Sequence, residues 1–456
     1  MRTESDSMGP MQVPDEALYG ASTRRAVLNF PVSGHPMPKG FLKGLGLVKG
    51  ACARANEALG RLSPAKSALI QRVAQELAEG KWTDQFPVDV FQTGSGTSTN
   101  MNANEVIAHR ALQLDASTPL HPNDDVNLGQ SSNDIIPTVL HVSVALALQE
   151  DLEPALALLE ASLEEKSIRF QQVVKIGRTH LMDATPLTLG QEFSGYVAQI
   201  RKGRQRLAKA VAALGELAVG GTAVGTGING HPGFAPKVCQ LLSEATGIPF
   251  REAGNHFEAQ AGRDDAVEVA GHLATLACSL TKIANDLRLL GSGPRAGLGE
   301  LRLPPVQPGS SIMPGKTNPV MCEMMVQVCL YVQGLTHVVV LCGREGQFEL
   351  NVTLPLMAHA LHESVYCLAN AVRLFAVRCV EGLEADAARC RELTGRSLML
   401  VTALTPFIGY DQAAAVAKEA LHSGRTLREV VLEKKLMEPD ALDRALNPET
   451  MIQPGA

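Results

Sequence analysis

Long stretches with apolar residues at helical spacing dominate the middle of this chain. In residues 135–170, four leucines recur at gaps of four, three and four positions, namely Leu152, Leu156, Leu159 and Leu163. This spacing indicates one buried helix face. Similar patterns occupy residues 188–217, 265–290, 319–342 and 356–380. Long helices joined by loops predict an all-α fold with an up-and-down bundle, and Pro154 predicts a kink or restart in the first of them.

The pattern changes character near residues 130 and 385. Before residue 130, turn-rich stretches alternate with short helical patterns, and after residue 385 the helical patterns shorten again. We therefore predict an N-terminal mixed domain of helices and loops (1–130), a central long-helix bundle (131–385) and a small C-terminal helical domain (386–456).

Four polar segments lie beside the long helical patterns. They cover residues 93–104, 121–133, 177–192 and 309–318. Glycine, proline and serine make the last segment a loop, and Asn318–Pro319 has the pattern of a helix start. Hydroxyl and amide groups, with Lys316 and His180, suit a site for a small oxygenated anion. Each segment alone is also explained by caps and turns.

Composition excludes several functional classes. The net charge of −6 argues against a nucleic-acid or membrane-surface protein. Aromatic residues make up only 4% of the chain, which suits helix packing better than a β-sandwich. The nine cysteines are scattered without a C-x-x-C pair, which indicates a reducing compartment such as the cytoplasm. The first twenty residues carry early acidic residues and no apolar run, so we expect no signal peptide.

One apolar stretch is long enough to span a bilayer. Residues 324–343 contain no Asp, Glu, Lys or Arg over 20 positions. A helix that is apolar nearly all round also occurs at the centre of a large bundle or an oligomer. Gln327, Gln333, Thr336 and His337 within the stretch favour the buried helix over a membrane span.

The polar segments carry motifs of a known family. GSSIMPGKTNP, TGSGTSTNMNANEV, HPNDDVNLGQSSND, GRTHLMDATPLTLGQE and GGTAVGTGIN occur in this chain, and SLMLVTALTPFIGYD follows near its end. Together they resemble the class II (metal-independent) fumarases of the fumarase/aspartase superfamily, over nearly the whole chain. The resemblance implies an all-α, three-domain subunit whose long helices form the core of a homotetramer. It implies active sites shared between subunits, a small dicarboxylate substrate (fumarate or malate), and neither a metal nor an organic cofactor.

The resemblance also implies residue roles. Ser310 would be the base that removes a proton next to a carboxylate, activated by loop amides and neighbouring charge. Lys316 and Asn318 would bind the carboxylate that takes up negative charge in the aci-carboxylate intermediate. His180, oriented by Glu323, would act through a water on the departing hydroxyl group.

Further matched positions would bind or surround the substrate. The implied substrate-binding residues are Ser95, Thr97, Ser131, Ser132, Asn133, Thr179 and Ser311. His121, Asn123 and Asp124 match a family segment associated with a second anion site. Thr118 stands where some relatives carry a basic residue, which weakens the case for that site.

Three functions remain to be distinguished. Fumarate hydration, a step of the tricarboxylic acid cycle, is favoured because aspartate ammonia-lyases tend to carry glutamine in place of His180 and alanine in place of Ser95. Aspartate ammonia-lyase is the alternative within the same fold. A non-catalytic structural homologue, as in lens crystallins, would not need Ser310, Lys316, Asn318 and His180 together.

Overall fold

The computed structural model describes residues 1–454. Its helices are α1 (Ala21–Asn29), α2 (Lys39–Ala58), α3 (Pro64–Ala78), α4 (Thr97–Leu114), α5 (Ser132–Ala147), α6 (Glu153–Arg169), α7 (Leu189–Ala213), α8 (Phe234–Thr246), α9 (His256–Ala261), α10 (Asp264–Leu290), α11 (Val320–Gly343), α12 (Leu354–Phe375), α13 (Ala387–Arg396), α14 (Thr405–Ile408), α15 (Tyr410–Ser423), α16 (Leu427–Glu433) and α17 (Pro439–Ala445). The all-α prediction is confirmed.

The strands are short and pair only in twos within the described residues. Antiparallel pairs join β1 (Arg2–Asp6) to β2 (Gly9–Val13), β3 (Val174–Thr179) to β4 (Met182–Thr188), β7 (Leu301–Arg302) to β10 (Glu384–Ala385), and β8 (Gly346–Gln347) to β9 (Leu350–Asn351). β5 (Glu216–Leu217) and β6 (Arg251–Glu252) are parallel. Such pairs form no sheet core and serve to shape loops.

Each predicted long helix is present. Residues 132–169 form one run in which a π-helical turn (Leu148–Leu152) separates α5 from α6. The new helix begins at Glu153, directly before Pro154, because proline lacks the N–H of a helix interior but fits its first turn. The four leucines of the predicted stripe are fully buried.

Two predictions of local structure are wrong. The polar segment 177–192 is not a loop, because residues 177–188 belong to the β3–β4 hairpin and α7 begins at Leu189. Most of the segment 93–104 is helical, since α4 begins at Thr97. In both segments hydroxyl and amide side chains suggested a loop, whereas the backbone forms an antiparallel strand pair in the first and a helix in the second.

The chain divides into two compact units. Unit 1 comprises Met1–Ala155, Gly203–Cys278 and Val328–Asn370, and unit 2 comprises Leu156–Lys202, Ser279–Gln327 and Ala371–Ala456. In unit 1, α2 packs against α3, α5 and α8. In unit 2, the β3–β4 hairpin packs against α13, and a small separate core includes Leu404, Val416 and Val430. The three-domain division at residues 130 and 385 stays a prediction.

Within residues 1–454, two helical runs are long and apolar enough to span a membrane by length and composition alone. They are Ser132–Arg169, whose apolar window is 78% buried, and Val320–Gly343, whose window is only 33% buried within this chain. This criterion is weak for one or two helices, because core helices of soluble proteins meet it too. The second helix therefore presents apolar surface that the single chain leaves uncovered.

We predict that Gly46→Ala destabilises unit 1. A Cβ at Gly46 would lie 2.6 Å from the carbonyl oxygen of Ala74 and 2.8 Å from the amide nitrogen of Ala78, so α2 and α3 would have to separate. Overpacking of this kind costs about 1–3 kcal/mol. Thermal and denaturant unfolding measure the loss.

Gly50→Ala in the same helix is the matched control. Its Cβ would meet only the Ala74 Cβ, at an ordinary 3.6 Å. Because alanine favours a helix over glycine by up to about 1 kcal/mol, this variant should be neutral or more stable. Equal destabilisation by both variants would contradict the close approach of α2 and α3 as the cause.

Candidate active site

The Ser310 side chain lies in a tight turn of the loop before α11. Its Oγ accepts the backbone N–H of Ile312 at 3.2 Å and that of Met313 at 3.0 Å. N–H groups that point at an oxygen stabilise its anionic form more than its neutral form. The turn therefore supplies the kind of environment that activation of this serine requires.

The loop is closed by its own backbone and by Asn318. The Gly309 N–H donates to the Lys316 carbonyl at 2.8 Å, and Asn318 Nδ2 donates to the Gly309 carbonyl at 2.7 Å. A Cβ at Gly309 would lie 2.7 Å from that Lys316 oxygen, so glycine is required for the closure. The sequence predicted a helix start at Asn318–Pro319; α11 begins directly after it, at Val320, and the Asn318 side chain donates across the loop.

Lys316 supplies positive charge to the surface of this loop. Its side chain is exposed, and in the part of the chain that the structure describes it forms no ion pair. Ser311 is exposed beside it, and Glu323 is half-buried in the first turn of α11. A cation without a carboxylate partner is available to an anionic ligand.

Thr179 and His180 lie at the tip of the β3–β4 hairpin. Thr179 pairs with Met182, so His180 and Leu181 are the two central turn residues, with φ of 58° and 62°. Positive φ at both positions is the geometry of a type I′ turn, which usually selects Asn or Gly. A histidine and a leucine held there store backbone strain of the sort found at functional sites.

His180 and Glu323 both belong to unit 2, but no hydrogen bond joins their side chains within residues 1–454. The orientation of His180 by Glu323 therefore stays a prediction.

Ser95 and Thr97 lie at the N-terminus of α4 in unit 1. Their hydroxyl oxygens are 2.8 Å apart, and α4 begins at Thr97 after Gly96, which has a φ of 73°. Gly94 passes so close to Val352 that a Cβ would lie 1.6 Å from its carbonyl oxygen. Hydroxyl groups at a helix N-terminus, where backbone N–H groups lack partners, suit an anion.

Ser131, Ser132 and Asn133 form the start of α5. Ser131 caps the helix by accepting the Asn133 N–H at 3.2 Å. Ser132 Oγ accepts from Asn100 Nδ2 at 3.0 Å, and Asn133 Nδ2 donates to the Ala223 carbonyl at 2.8 Å. The three side chains are thereby held at a second helix N-terminus of unit 1.

Asn123 and Asp124 lie in a π-helical turn (Pro122–Val126), and His121 caps its N-terminus. His121 Nδ1 accepts the N–H groups of Asn123 at 3.3 Å and Asp124 at 3.0 Å, so the imidazole stabilises its own turn. Asn123, Asp124 and Ser131 line one cavity of about 550 Å³. Two of the three second-site residues thus share a cavity with one substrate-binding candidate, whereas His121 lines a different cavity.

Asp134 is a buried residue that the sequence reasoning missed. Oδ1 accepts the Ser131 N–H at 2.9 Å, and Oδ2 accepts the N–H groups of Gly220 and Thr222 at 3.0 Å each. Burial raises the pKa of this carboxyl, whereas the three N–H donors lower it. Burial has the larger effect, so the pKa is raised to about 6. The sequence signal was available, because Ser131 and Asp134 form the S-x-x-D spacing of a capping box.

Lys49 of α2 is a second buried residue near this segment. Its ammonium donates to Gln130 Oε1 at 2.9 Å and Asn127 Oδ1 at 3.2 Å, and burial lowers the Lys49 pKa to about 8. The contacts hold the chain that leads into Ser131. Among residues 1–454, no group of three or more His, Cys, Asp or Glu side chains is placed to hold a metal ion.

The predicted residues therefore form two sets. Unit 1 holds Ser95, Thr97, His121, Asn123, Asp124, Ser131, Ser132 and Asn133, and unit 2 holds Thr179, His180, Ser310, Ser311, Lys316, Asn318 and Glu323.

Comparisons with known proteins agree with these motifs along the whole chain. A family described as "Lyase" matches residues 9–334, and one described as "Fumarase C C-terminus" matches residues 400–453. The class II fumarate hydratase of Chromobacterium violaceum is 50% identical over 99% of each chain. The mitochondrial fumarate hydratase of Saccharomyces cerevisiae is 50% identical over 99% of this chain and 94% of its own.

A solved structure has nearly the same fold. The crystal structure of a recombinant class II fumarase from Schistosoma mansoni has a TM-score of 0.98 and 40% identity, and covers 100% of both chains. The fold, the Ser310 loop and the matched regions define this chain as a protein of the lyase family. Within that family it belongs to the class II fumarate hydratases, which confirms the family predicted from the motifs.

We predict that Asp134→Asn destabilises the fold. An amide offers one acceptor oxygen in place of two, so at least one of three buried or half-buried N–H donors loses its partner. An unsatisfied buried polar group costs about 1–3 kcal/mol, which denaturant unfolding measures. Asp151→Asn, an exposed position in the same unit, is the control and should change little. Equal stability of the two variants would contradict the role of the Asp134 carboxylate in holding the three N–H groups.

Proposed function

We propose that this protein catalyses the reversible hydration of fumarate to (S)-malate by anti addition, with Ser310 as the base in the elimination direction. The observation that carries the proposal is the Ser310 turn, in which two backbone N–H groups point at Oγ. A serine hydroxyl is a weak acid, and donors aimed at its oxygen lower the cost of the oxyanion. The family's carbon–oxygen lyase activity requires a base of this kind.

In the elimination direction, Ser310 Oγ takes the C3 proton of malate. The electron pair of that C–H bond moves into the C4 carboxylate, which becomes a doubly charged aci-carboxylate. Lys316 and an N–H of Asn318 stabilise this charge, as in an oxyanion hole. The electrons then return to form the C2–C3 double bond, the C2–O bond breaks, and the hydroxyl leaves as water.

The departing hydroxyl needs a proton. We assign its delivery to a water held by His180, since an exposed imidazole at a strained hairpin tip can reach a ligand. Hydration runs the same steps in reverse. The hydroxyl and amide groups at the N-termini of α4 and α5, with Thr179 and Ser311, orient the dicarboxylate.

We extend the proposal to a homotetramer with shared active sites. Leu330 and Tyr331 of α11 are 62% and 50% exposed in the single chain, which is unusual for the centre of an apolar helix. A tetramer core would cover them, and it would give His180 and Glu323 partners from neighbouring chains. We also propose a cytoplasmic location, which the nine free cysteines support, although one similar protein is mitochondrial.

The substrate is tested with purified protein given L-malate or L-aspartate separately, with a chelator present. We expect ultraviolet absorbance of fumarate from malate alone. Fumarate from aspartate alone would identify an ammonia-lyase and overturn the role of His180. No fumarate from either substrate would contradict catalysis by this chain and favour a structural homologue.

We predict that Ser310→Ala lowers kcat by about 10²–10⁴-fold without unfolding the protein, since acid–base groups contribute on that scale. Mixing this variant with His180→Asn and exchanging subunits should restore part of the activity. Recovery is expected because some shared sites take Ser310 from one variant and His180 from the other. Malate turnover and the mass of mixed tetramers, built from chains of 48.5 kDa, are measured together.

Thr317→Val is the control in the same loop, because its side chain is exposed and has no role in the proposed steps. Normal turnover by Ser310→Ala would remove Ser310 as the base. Confirmed mixed tetramers without recovered activity would contradict shared sites.

A further inference from the structure

The β3–β4 hairpin contains a register shift at Gly177 of the GRTH motif, where β4 has one residue more than β3. The register shifts between Ile176 and Arg178, and Gly177 lies so close to β4 that a Cβ would be 2.6 Å from the Thr185 carbonyl oxygen. The extra residue lies in β4, so β3 keeps its alternation of faces through this point. Arg178 is therefore on the same side as the buried Ile176, whereas Thr179 is exposed at the end of the strand.

Arg178 forms a two-point ion pair with Glu300. Its Nη1 lies 2.7 Å from Glu300 Oε2, and its Nη2 lies 3.2 Å from Glu300 Oε1. Glu300 is completely buried, and the Arg178 side chain is 14% exposed. Parallel N–H···O bonds of this type fix the plane of the guanidinium as well as its distance.

The carboxylate of Glu300 is itself held by a wider network. Lys175, also in β3, lies 3.8 Å from Glu300 Oε2 and donates to Glu192 of α7 at 2.7 Å. The Tyr196 hydroxyl lies between Glu192 and Asp286 of α10, at 3.0 and 2.9 Å. The Glu300 backbone carbonyl accepts the Asp386 N–H at 2.9 Å. Helices therefore hold the acceptor of Arg178 rigidly in unit 2.

The hairpin tip beyond Arg178 has little support of its own. Leu181 is 76% exposed, and His180 is exposed and forms no hydrogen bond among the described residues. Both tip residues have positive φ, which non-glycine residues adopt only when their surroundings impose it. Within the single chain, the base of the hairpin therefore sets the direction of the tip.

We infer that Arg178 is a positioning residue for His180, acting through its paired contact with Glu300. The inference rests on the proposed function, because His180 acts there through a water. Arg178 does not contact the substrate in this scheme. It holds the end of β3 in one orientation, so that the imidazole two residues later is directed at the departing hydroxyl.

The test is Arg178→Lys in the full-length protein. Lysine keeps the positive charge but cannot make two parallel bonds to one carboxylate. A displacement of a reacting group by about 1 Å can cost 10²-fold in rate, so we expect kcat for malate to fall about 10- to 100-fold. The KM should change less than about twofold, because no substrate contact is lost.

A double-mutant cycle separates positioning from general loss of structure. In a His180→Asn background, Arg178→Lys should have almost no further effect on kcat, since there is no imidazole left to direct. Turnover of the slow variants is followed over hours at high enzyme concentration. Glu300→Asp changes the other partner of the ion pair, because its side chain is one methylene shorter. This variant replaces Arg178→Lys in the test if Arg178→Lys does not fold.

Arg201→Lys is the matched control in the same unit. Arg201 also forms an ion pair with a largely buried glutamate, Glu160 at 2.7 Å, but it lies on α7 away from the hairpin. The Arg201→Lys variant should leave kcat for malate unchanged.

Three results would overturn the inference. These are unchanged kcat in Arg178→Lys, an equal loss of kcat with and without His180, or a rise in KM alone, which would make Arg178 a substrate ligand. An inactive wild-type protein would instead refute the proposed function.

Discussion

Buried carboxylates must be given several hydrogen-bond donors, and this requirement ties distant parts of the chain together. An ionised carboxylate without donors is too costly to bury. Glu105 of α4 meets the requirement by binding the start of α1, through the N–H groups of Gly20, Ser22 and Thr23 and the Thr23 hydroxyl. Asp89 in the same way binds backbone N–H groups at Ser33, Gly34 and Phe91. Segments far apart in sequence are thereby fixed to one another.

The candidate site depends on the same physics. Asp134 joins the α5 N-terminus to the loop at Gly220 and Thr222, and Glu300 holds Arg178 at the base of the His180 hairpin. In each case a buried acid supports a segment whose outer residues are free to meet a ligand. Rigid support with exposed functional groups is what a site for a small anion needs, because reaction rates depend on geometry within about an ångström.

The long helices were predictable because their information is local. Apolar residues at helical spacing indicate a buried helix face, whichever element that face packs against. The helices within residues 135–170 and 265–290 were therefore predicted to within a few positions of their observed ends. The β3–β4 hairpin was not predictable by the same route. Its turn residues, His180 and Leu181, lack the Asn-Gly pattern of a type I′ turn, and only the packing of the hairpin base against unit 2 compensates for their strain.

By itself, the sequence determined the all-α class, the long helices, the family and the residues that carry its motifs, because these follow from periodicity and from contiguous stretches of side chains. Only the tertiary structure decided which of those residues are held by hydrogen bonds, and by which partners. It showed that Ser310 Oγ accepts two backbone N–H groups, that the Asn318 side chain closes its own loop, and that Asp134 joins the start of α5 to the loop at Gly220 and Thr222. The contacts of Asp134 with Gly220 and Thr222 join residues that are far apart in the chain, and the turn at Ser310 depends on backbone direction, so the spacing of residue types alone does not determine them.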